Sequence, residues 1–101
     1  MALEMKKECE KCHQALSADA EVYICVYECT FCRDCSASMD SVCPNCGGGF
    51  APRPIRPAKQ WRPGVCLEKR PASAQRVHLK WPREEVAAFV SRVRDVSPAE
   101  R

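Results

Sequence analysis

The chain lacks the long apolar segments that mark exported and membrane proteins. None of its 101 residues lie in an apolar run long enough to span a bilayer, and the opening MALEMKKECE contains no stretch of signal-peptide length. We therefore expect no membrane association and a cytoplasmic location, where thiols stay reduced. So short a chain has few residues from which to build an enclosed apolar core. Its length suits one small domain with appendages.

Cysteine, in contrast, is abundant. The chain has 9 cysteines, and eight of them lie between Cys9 and Cys46. A secreted disulfide scaffold would have a signal peptide and usually an even number of cysteines. Reduced cysteines at this density indicate metal binding instead.

Charge divides the chain into three segments. Residues 1–50 carry four basic and eight acidic side chains, and residues 51–80 carry eight basic ones against Glu68 alone. Residues 81–101 balance four against four. We therefore predict a cysteine-rich module over 1–50, a basic Pro-rich segment over 51–80, and a C-terminal helix and tail over 81–101.

The eight clustered cysteines form four pairs with the spacing of metal ligands. The pairs are Cys9–Cys12, Cys25–Cys29, Cys32–Cys35 and Cys43–Cys46. Each pair places two sulfurs on one tight turn, and two pairs complete a four-thiolate site. The spacing predicts two Zn²⁺ ions, with an iron–sulfur cluster as the alternative.

Local patterns favour an interleaved assignment of these pairs over a sequential one. "EVYICVYE" (21–28) is rich in β-branched and aromatic residues and predicts a strand, whereas "CRDCSASMDSV" predicts a short helix opening at Cys32–Cys35. In the treble-clef arrangement, a tight turn that carries a CxxC pair (a knuckle, here Cys9–Cys12) is followed by a hairpin and by a helix that carries a second CxxC pair. The knuckle and the helix share one ion. The predicted sites are site 1, with Cys9, Cys12, Cys32 and Cys35, and site 2, with Cys25, Cys29, Cys43 and Cys46.

The blocks "CTFCRDC" and "CPNC" resemble the cross-brace of RING fingers, with Cys29 where a RING usually has histidine. Residues 1–79 also resemble a family of small uncharacterised bacterial proteins known as a domain of unknown function. Its blocks correspond here to "ECTFCRDC" (28–35), "VCPNCGG" (42–48), the Arg/Pro run (51–63) and "RPAS…RV" (70–77). The resemblance implies a RING-like fold with two zinc sites and supplies little biochemistry.

Several more specific functions are poorly supported by the residues. The positions that RING ubiquitin ligases use read "CEKC", "SASMDSV" and "CGGG" here, so we expect no ligase activity. "CEKCH" matches a haem attachment motif, but that chemistry follows export, so His13 is expected to be an exposed neighbour of a ligand, or a spare group that could hydrogen-bond to one. Cys66 is expected to be a half-buried apolar side chain, with a regulatory thiol as the alternative. His78 is expected to be exposed.

The candidate core of the module is small. We expect it to contain Val22, Ile24, Val26, Phe31, Met39, Val42, Leu16 and Phe50. So few apolar side chains cannot fold a module of this size alone, so metal is expected to be its main source of stability.

The two C-terminal segments have different patterns. Residues 51–80 contain prolines 52, 54, 57, 63 and 71, which predict an extended chain. Residues 82–96 predict a helix with an apolar stripe that docks on its own module or on a partner. The stripe comprises Val86, Phe89, Val90, Val93 and Val96.

The sequence as a whole predicts a small, metal-stabilised α+β protein that is not an enzyme. We expect a cytoplasmic zinc-binding adaptor or interaction module with an unidentified protein partner. The alternative is a nucleic-acid-binding accessory factor that uses Arg53, Arg56, Lys59, Trp61 and Arg62. A zinc- or redox-responsive sensor is the third possibility.

Overall fold

Three short strands form an antiparallel sheet within the cysteine-rich segment. In the computed structural model, which describes residues 3–101, they are β1 (Val22–Ile24), β2 (Thr30–Cys32) and β3 (Ala51–Pro52), in the order β2-β1-β3. Tyr23 is opposite Phe31 in β2 and opposite Pro52 in β3. With the two helices described below, this sheet makes the chain a small α+β protein, as predicted.

The strand predicted over residues 21–28 is wrong in its second half. After Ile24 the chain turns at Cys25–Glu28, where the Glu28 N–H donates to the Cys25 carbonyl at 2.9 Å and Glu28 has a φ of 65°. Val26 was expected in the core, but it lies on this turn and is 82% exposed. The turn overrides the β propensity of the segment because it brings Cys25 and Cys29 together.

The first helix begins directly after β2, at the cysteine pair predicted to open it. It is α1 (Arg33–Ser38), and Cys32 is its N-cap, with the Cys32 sulfur accepting from the Cys35 N–H. Asp40 and Ser41 have φ angles of 51° and 58°, which end the helix and return the chain toward Cys43. The helix is therefore shorter than the pattern of "CRDCSASMDSV" suggests.

The C-terminal helix packs on the cysteine-rich segment of its own chain. It is α2 (Arg83–Val93), followed by a short 3₁₀ turn at Pro98–Glu100. Val86 and Val90 are buried in one cluster with Phe31, Met39 and five cysteines, while Phe89 and Val93 pack against its edge. Of the two possibilities left open for this helix, the structure shows docking on its own module. Pro82 is the N-cap, and Val96 is exposed beyond the end of the helix.

This docking gives a testable prediction for α2. Replacing Val90 with Asp would place an unpaired carboxylate in the buried cluster, so we expect α2 to detach. Amide hydrogen exchange of residues 83–93 should then lose its protection. Val96→Asp is the matched control, because Val96 is exposed. Equal protection in the two variants would show that Val90 does not hold the helix.

Residues 53–82 contain no helix and no strand of the sheet. Arginine side chains attach this segment to the start of the chain. Arg53 is 5% exposed and donates to the Lys6 carbonyl at 3.0 Å. Arg56 donates to the Leu3 carbonyl at 2.6 Å, and Arg76 pairs with Glu8 at 2.8 Å. The expectation that Arg53 is available to a phosphate backbone is wrong, because its guanidinium is buried and already bonded. The three-segment division remains a prediction.

Candidate metal centre

Four cysteine sulfurs from two distant parts of the chain meet in the first cluster. Cys9 and Cys12 come from the N-terminal knuckle, Cys32 from the end of β2 and Cys35 from the first turn of α1. Their sulfurs all lie within 4.8 Å of one another, and Cys12 Sγ is 3.8 Å from Cys32 Sγ. A tetrahedral site with Zn–S bonds of 2.3 Å separates its sulfurs by about 3.8 Å, so this spacing fits zinc.

The second cluster joins the β1–β2 turn to the knuckle that follows α1. Cys25, Cys43 and Cys46 have their sulfurs within 4.8 Å of one another. Cys29, predicted as the fourth ligand, lies beside this set, but its sulfur is not within 4.8 Å of all three of the others. The Asn45 side-chain amide donates to Cys29 Sγ at 3.4 Å. The structure thus groups three of the four predicted site 2 residues and places the fourth next to them.

Backbone amides point at the sulfurs in both clusters. The N–H two residues further along donates to the sulfur of Cys9 and Cys12 at 3.4 Å, and to that of Cys25 and Cys46 at 3.3 Å. Hydrogen bonds of this kind favour thiolate over thiol and leave the remaining lone pairs of sulfur for a metal. The donor set is therefore chemically suited to a thiophilic cation.

The sulfurs in each cluster lie close together, and their pKa values shift in opposite directions. The pKa of Cys29 is lowered to about 6, first by a hydrogen bond from Cys43 and further by the Asn45 amide, against an opposing effect of burial. The same bond to Cys29, together with burial, raises the pKa of Cys43. Burial and the neighbouring sulfurs of site 1 raise the pKa of Cys35. Each cluster therefore resists full ionisation unless a cation compensates its charge.

A buried ion pair next to site 1 was not anticipated from the sequence. Glu10, inside the first CxxC pair, is 2% exposed, and its carboxylate accepts from Lys6 Nζ at 2.9 Å and from the Thr30 N–H at 2.7 Å. A glutamate between two metal-ligand cysteines looks like an ordinary exposed residue in the sequence. Only the fold brings Lys6 and Thr30 to it.

Gly47 allows α2 to approach the last cysteine knuckle. Its φ is 79°, and a Cβ at this position would lie 3.4 Å from Cζ of Phe89. Its N–H donates to the Cys43 carbonyl at 2.8 Å. The positive φ therefore favours glycine, and the docking of α2 is connected directly to the residues of site 2.

The remaining candidate residues lie outside the two clusters. His13 is half-buried where an exposed side chain was expected, because its ring lies beside that of the exposed His78, with the ring centroids 4.7 Å apart. Cys66 is 2% exposed, so it is more buried than the half-buried position expected for it. Neither histidine belongs to a cysteine cluster in the described residues 3–101.

These features define a class: a small α+β protein with two interleaved cysteine clusters that are compatible with two metal sites. Residues 2–56 match the family described as "Protein of unknown function (DUF1272)". An "uncharacterized protein" of Rhizobium meliloti (strain 1021) is 42% identical over 77 residues, which cover 74% of this chain and 84% of the relative. The chain therefore belongs to this family, which confirms the resemblance to an uncharacterised family. No solved structure gives a significant match.

Within residues 3–101, neither helix has the length and apolar character needed to cross a membrane.

Proposed function

We propose that the chain is a non-enzymatic zinc-binding module that presents a protein-interaction surface. Two structural Zn²⁺ ions are held in a treble-clef, RING-like cross-brace. Site 1 uses Cys9, Cys12, Cys32 and Cys35, and site 2 uses Cys25, Cys29, Cys43 and Cys46. The metal supplies folding free energy, and it performs no reaction.

The observation that carries this proposal is the interleaving of the two cysteine clusters. The sulfurs of Cys9 and Cys12 lie with those of Cys32 and Cys35, at the end of β2 and the start of α1. The Cys25 sulfur of the β1–β2 turn lies with those of Cys43 and Cys46. Each four-thiolate set would fill a tetrahedral ion completely and leave no position for substrate or water. Closed sites of this kind support a structural role over a catalytic one.

Metal stoichiometry of single variants tests the proposal. Native mass spectrometry of the full chain should find two zinc ions in the unaltered protein and one ion in both Cys12→Ser and Cys46→Ser. Cys66→Ser is the matched control, because Cys66 is a buried cysteine outside both clusters. It should retain both ions.

Two results would contradict the proposal. One is an iron–sulfur absorption band in protein purified without oxygen. The other is intramolecular disulfides among the eight clustered cysteines in protein kept under reducing conditions.

An exposed tryptophan in the basic segment favours a second candidate, binding of single-stranded nucleic acid. Trp61 is 77% exposed and lies between the exposed Lys59 and Arg62. A free indole ring beside cations can stack on a base while the cations contact phosphate. This candidate would use Lys59, Trp61 and Arg62, because the guanidinium groups of Arg53 and Arg56 bond to the chain itself.

The second candidate makes its own prediction. If it holds, Trp61→Ala should weaken binding to a single-stranded oligonucleotide by about 1–3 kcal/mol, and binding should weaken steeply as salt rises. Trp81→Ala is the matched control, as a second exposed tryptophan beside a lysine. Fluorescence anisotropy measures both variants. Absence of binding even at low salt would eliminate this candidate.

A further inference from the structure

Glu10 contacts the backbone that joins the two cysteine clusters. Its N–H donates to the Thr30 carbonyl at 3.0 Å, and its carboxylate accepts from the Thr30 N–H at 2.7 Å. Glu10 lies between Cys9 and Cys12 of site 1, whereas Thr30 directly follows Cys29 of site 2. The side chain and the backbone N–H of Glu10 therefore hold both backbone polar groups of Thr30, a residue next to the second site.

Lys6 extends this contact to the turn that carries site 2. Its ammonium donates to the Glu10 carboxylate at 2.9 Å and to the Glu28 carbonyl at 3.0 Å, and the Thr30 hydroxyl donates to the same carbonyl at 2.9 Å. The Glu28 N–H in turn bonds the Cys25 carbonyl. A continuous hydrogen-bond network thus runs from the site 1 knuckle to the Cys25–Cys29 turn.

Because this network is buried, its stability depends on each of its hydrogen-bond partners. Thr30 is fully buried, and the side chains of Glu10 and Lys6 are 3% and 12% exposed. A buried carboxylate is tolerated only where its charge and its acceptor positions are matched. An ion bound between Cys9 and Cys12 would fix the position of Glu10, and the network would then pass that order to Thr30 and the turn.

We propose that Glu10 is a positioning residue that couples the two metal sites, so that an ion in site 1 raises the zinc affinity of site 2. This inference rests on the proposed metal binding and goes beyond it, since two ions could bind independently. Coupling between binding sites typically corresponds to a change in affinity of about 5- to 150-fold. We expect the loss of site 1 to weaken site 2 by a factor in this range.

Site-resolved occupancy of the full chain tests the coupling. The protein is equilibrated in buffers of defined free zinc and then alkylated, and peptide mass spectrometry shows which cysteines were protected. The zinc affinity of site 2, read from Cys25, Cys43 and Cys46, is compared with and without Cys12→Ser. This pair of measurements is repeated in a Glu10→Gln background and in a Glu8→Gln background.

The two glutamates form a matched pair. Each is adjacent to Cys9, but the carboxylate of Glu8 pairs with Arg76, while that of Glu10 contacts Lys6 and Thr30. We expect Cys12→Ser to weaken site 2 about 5- to 150-fold in the natural and Glu8→Gln backgrounds, and much less in the Glu10→Gln background. Glu10→Gln keeps the shape of the side chain and removes the charge that Lys6 matches.

Three results would overturn the coupling. Cys12→Ser could leave the zinc affinity of site 2 unchanged, or could weaken it equally in all backgrounds. Glu10→Gln could abolish protection of both sites, which would mean that each site needs Glu10 separately. Failure of the underlying proposal looks different, because the cysteines of the unaltered chain would then be alkylated equally at every zinc concentration.

Discussion

Removing metal with a chelator is expected to unfold residues 9–46 cooperatively and to release α2 with them. Five of the ten residues in the buried cluster are cysteines assigned to the two sites. The strands have two or three residues each and α1 has six, so local structure contributes little stability. Structural zinc supplies roughly 10–16 kcal/mol of apparent binding free energy per site, so binding and folding should form one equilibrium.

Amide NMR spectra measure this transition. After chelation, signals from residues 22–46 should lose their dispersion, and hydrogen exchange in residues 83–93 should accelerate in the same step. The control is the same chelator already saturated with zinc, which should change neither signal. Dispersed signals retained across 22–46 in the metal-free chain would mean that apolar packing alone holds the module.

Replacing Phe31 with Ala is expected to give the largest loss of stability of any apolar substitution in the module. Phe31 is fully buried between Thr30 and Cys32 on β2, and its ring packs 5.4 Å from that of Phe50. Such a truncation costs about 3–5 kcal/mol. Since metal binding is coupled to folding, zinc affinity should fall by roughly two to four orders of magnitude.

Competition with a chromophoric zinc chelator measures the affinity of the Phe31→Ala variant. Phe89→Ala is the control, because Phe89 only packs against the edge of the same cluster. It should reduce affinity much less. Equal losses in the two variants, or none in Phe31→Ala, would show that zinc binding is independent of this packing.

The sequence was most informative where chemistry restricts spacing. Paired cysteines must share a turn to bind one ion, so the four pairs predicted two sites, and the strand and helix patterns between them predicted which pairs meet. The helix beginning at Cys32–Cys35 and the buried positions of Val22, Phe31, Met39 and Val42 followed from local residue patterns. These are short-range or ligand-directed features, for which local pattern is enough.

Prediction failed where tertiary contacts decide the outcome. Val26 has the composition of a strand residue, yet the turn between Cys25 and Glu28 exposes it. Arg53 looks like part of a solvated basic segment, yet β3 pairs with β1 immediately before it and its side chain is buried against Lys6. The role of Glu10 depends on Lys6 and Thr30 together, which no single local pattern identifies.

The central claim is that two ions are each held by four cysteines in an interleaved arrangement. Cadmium-113 NMR of the cadmium-substituted chain, correlated with the cysteine β-protons, tests it most directly. The account predicts one ion coupled to Cys9, Cys12, Cys32 and Cys35, and a second ion coupled to Cys25, Cys29, Cys43 and Cys46. A single ion coupled to both Cys9 and Cys25 would contradict it.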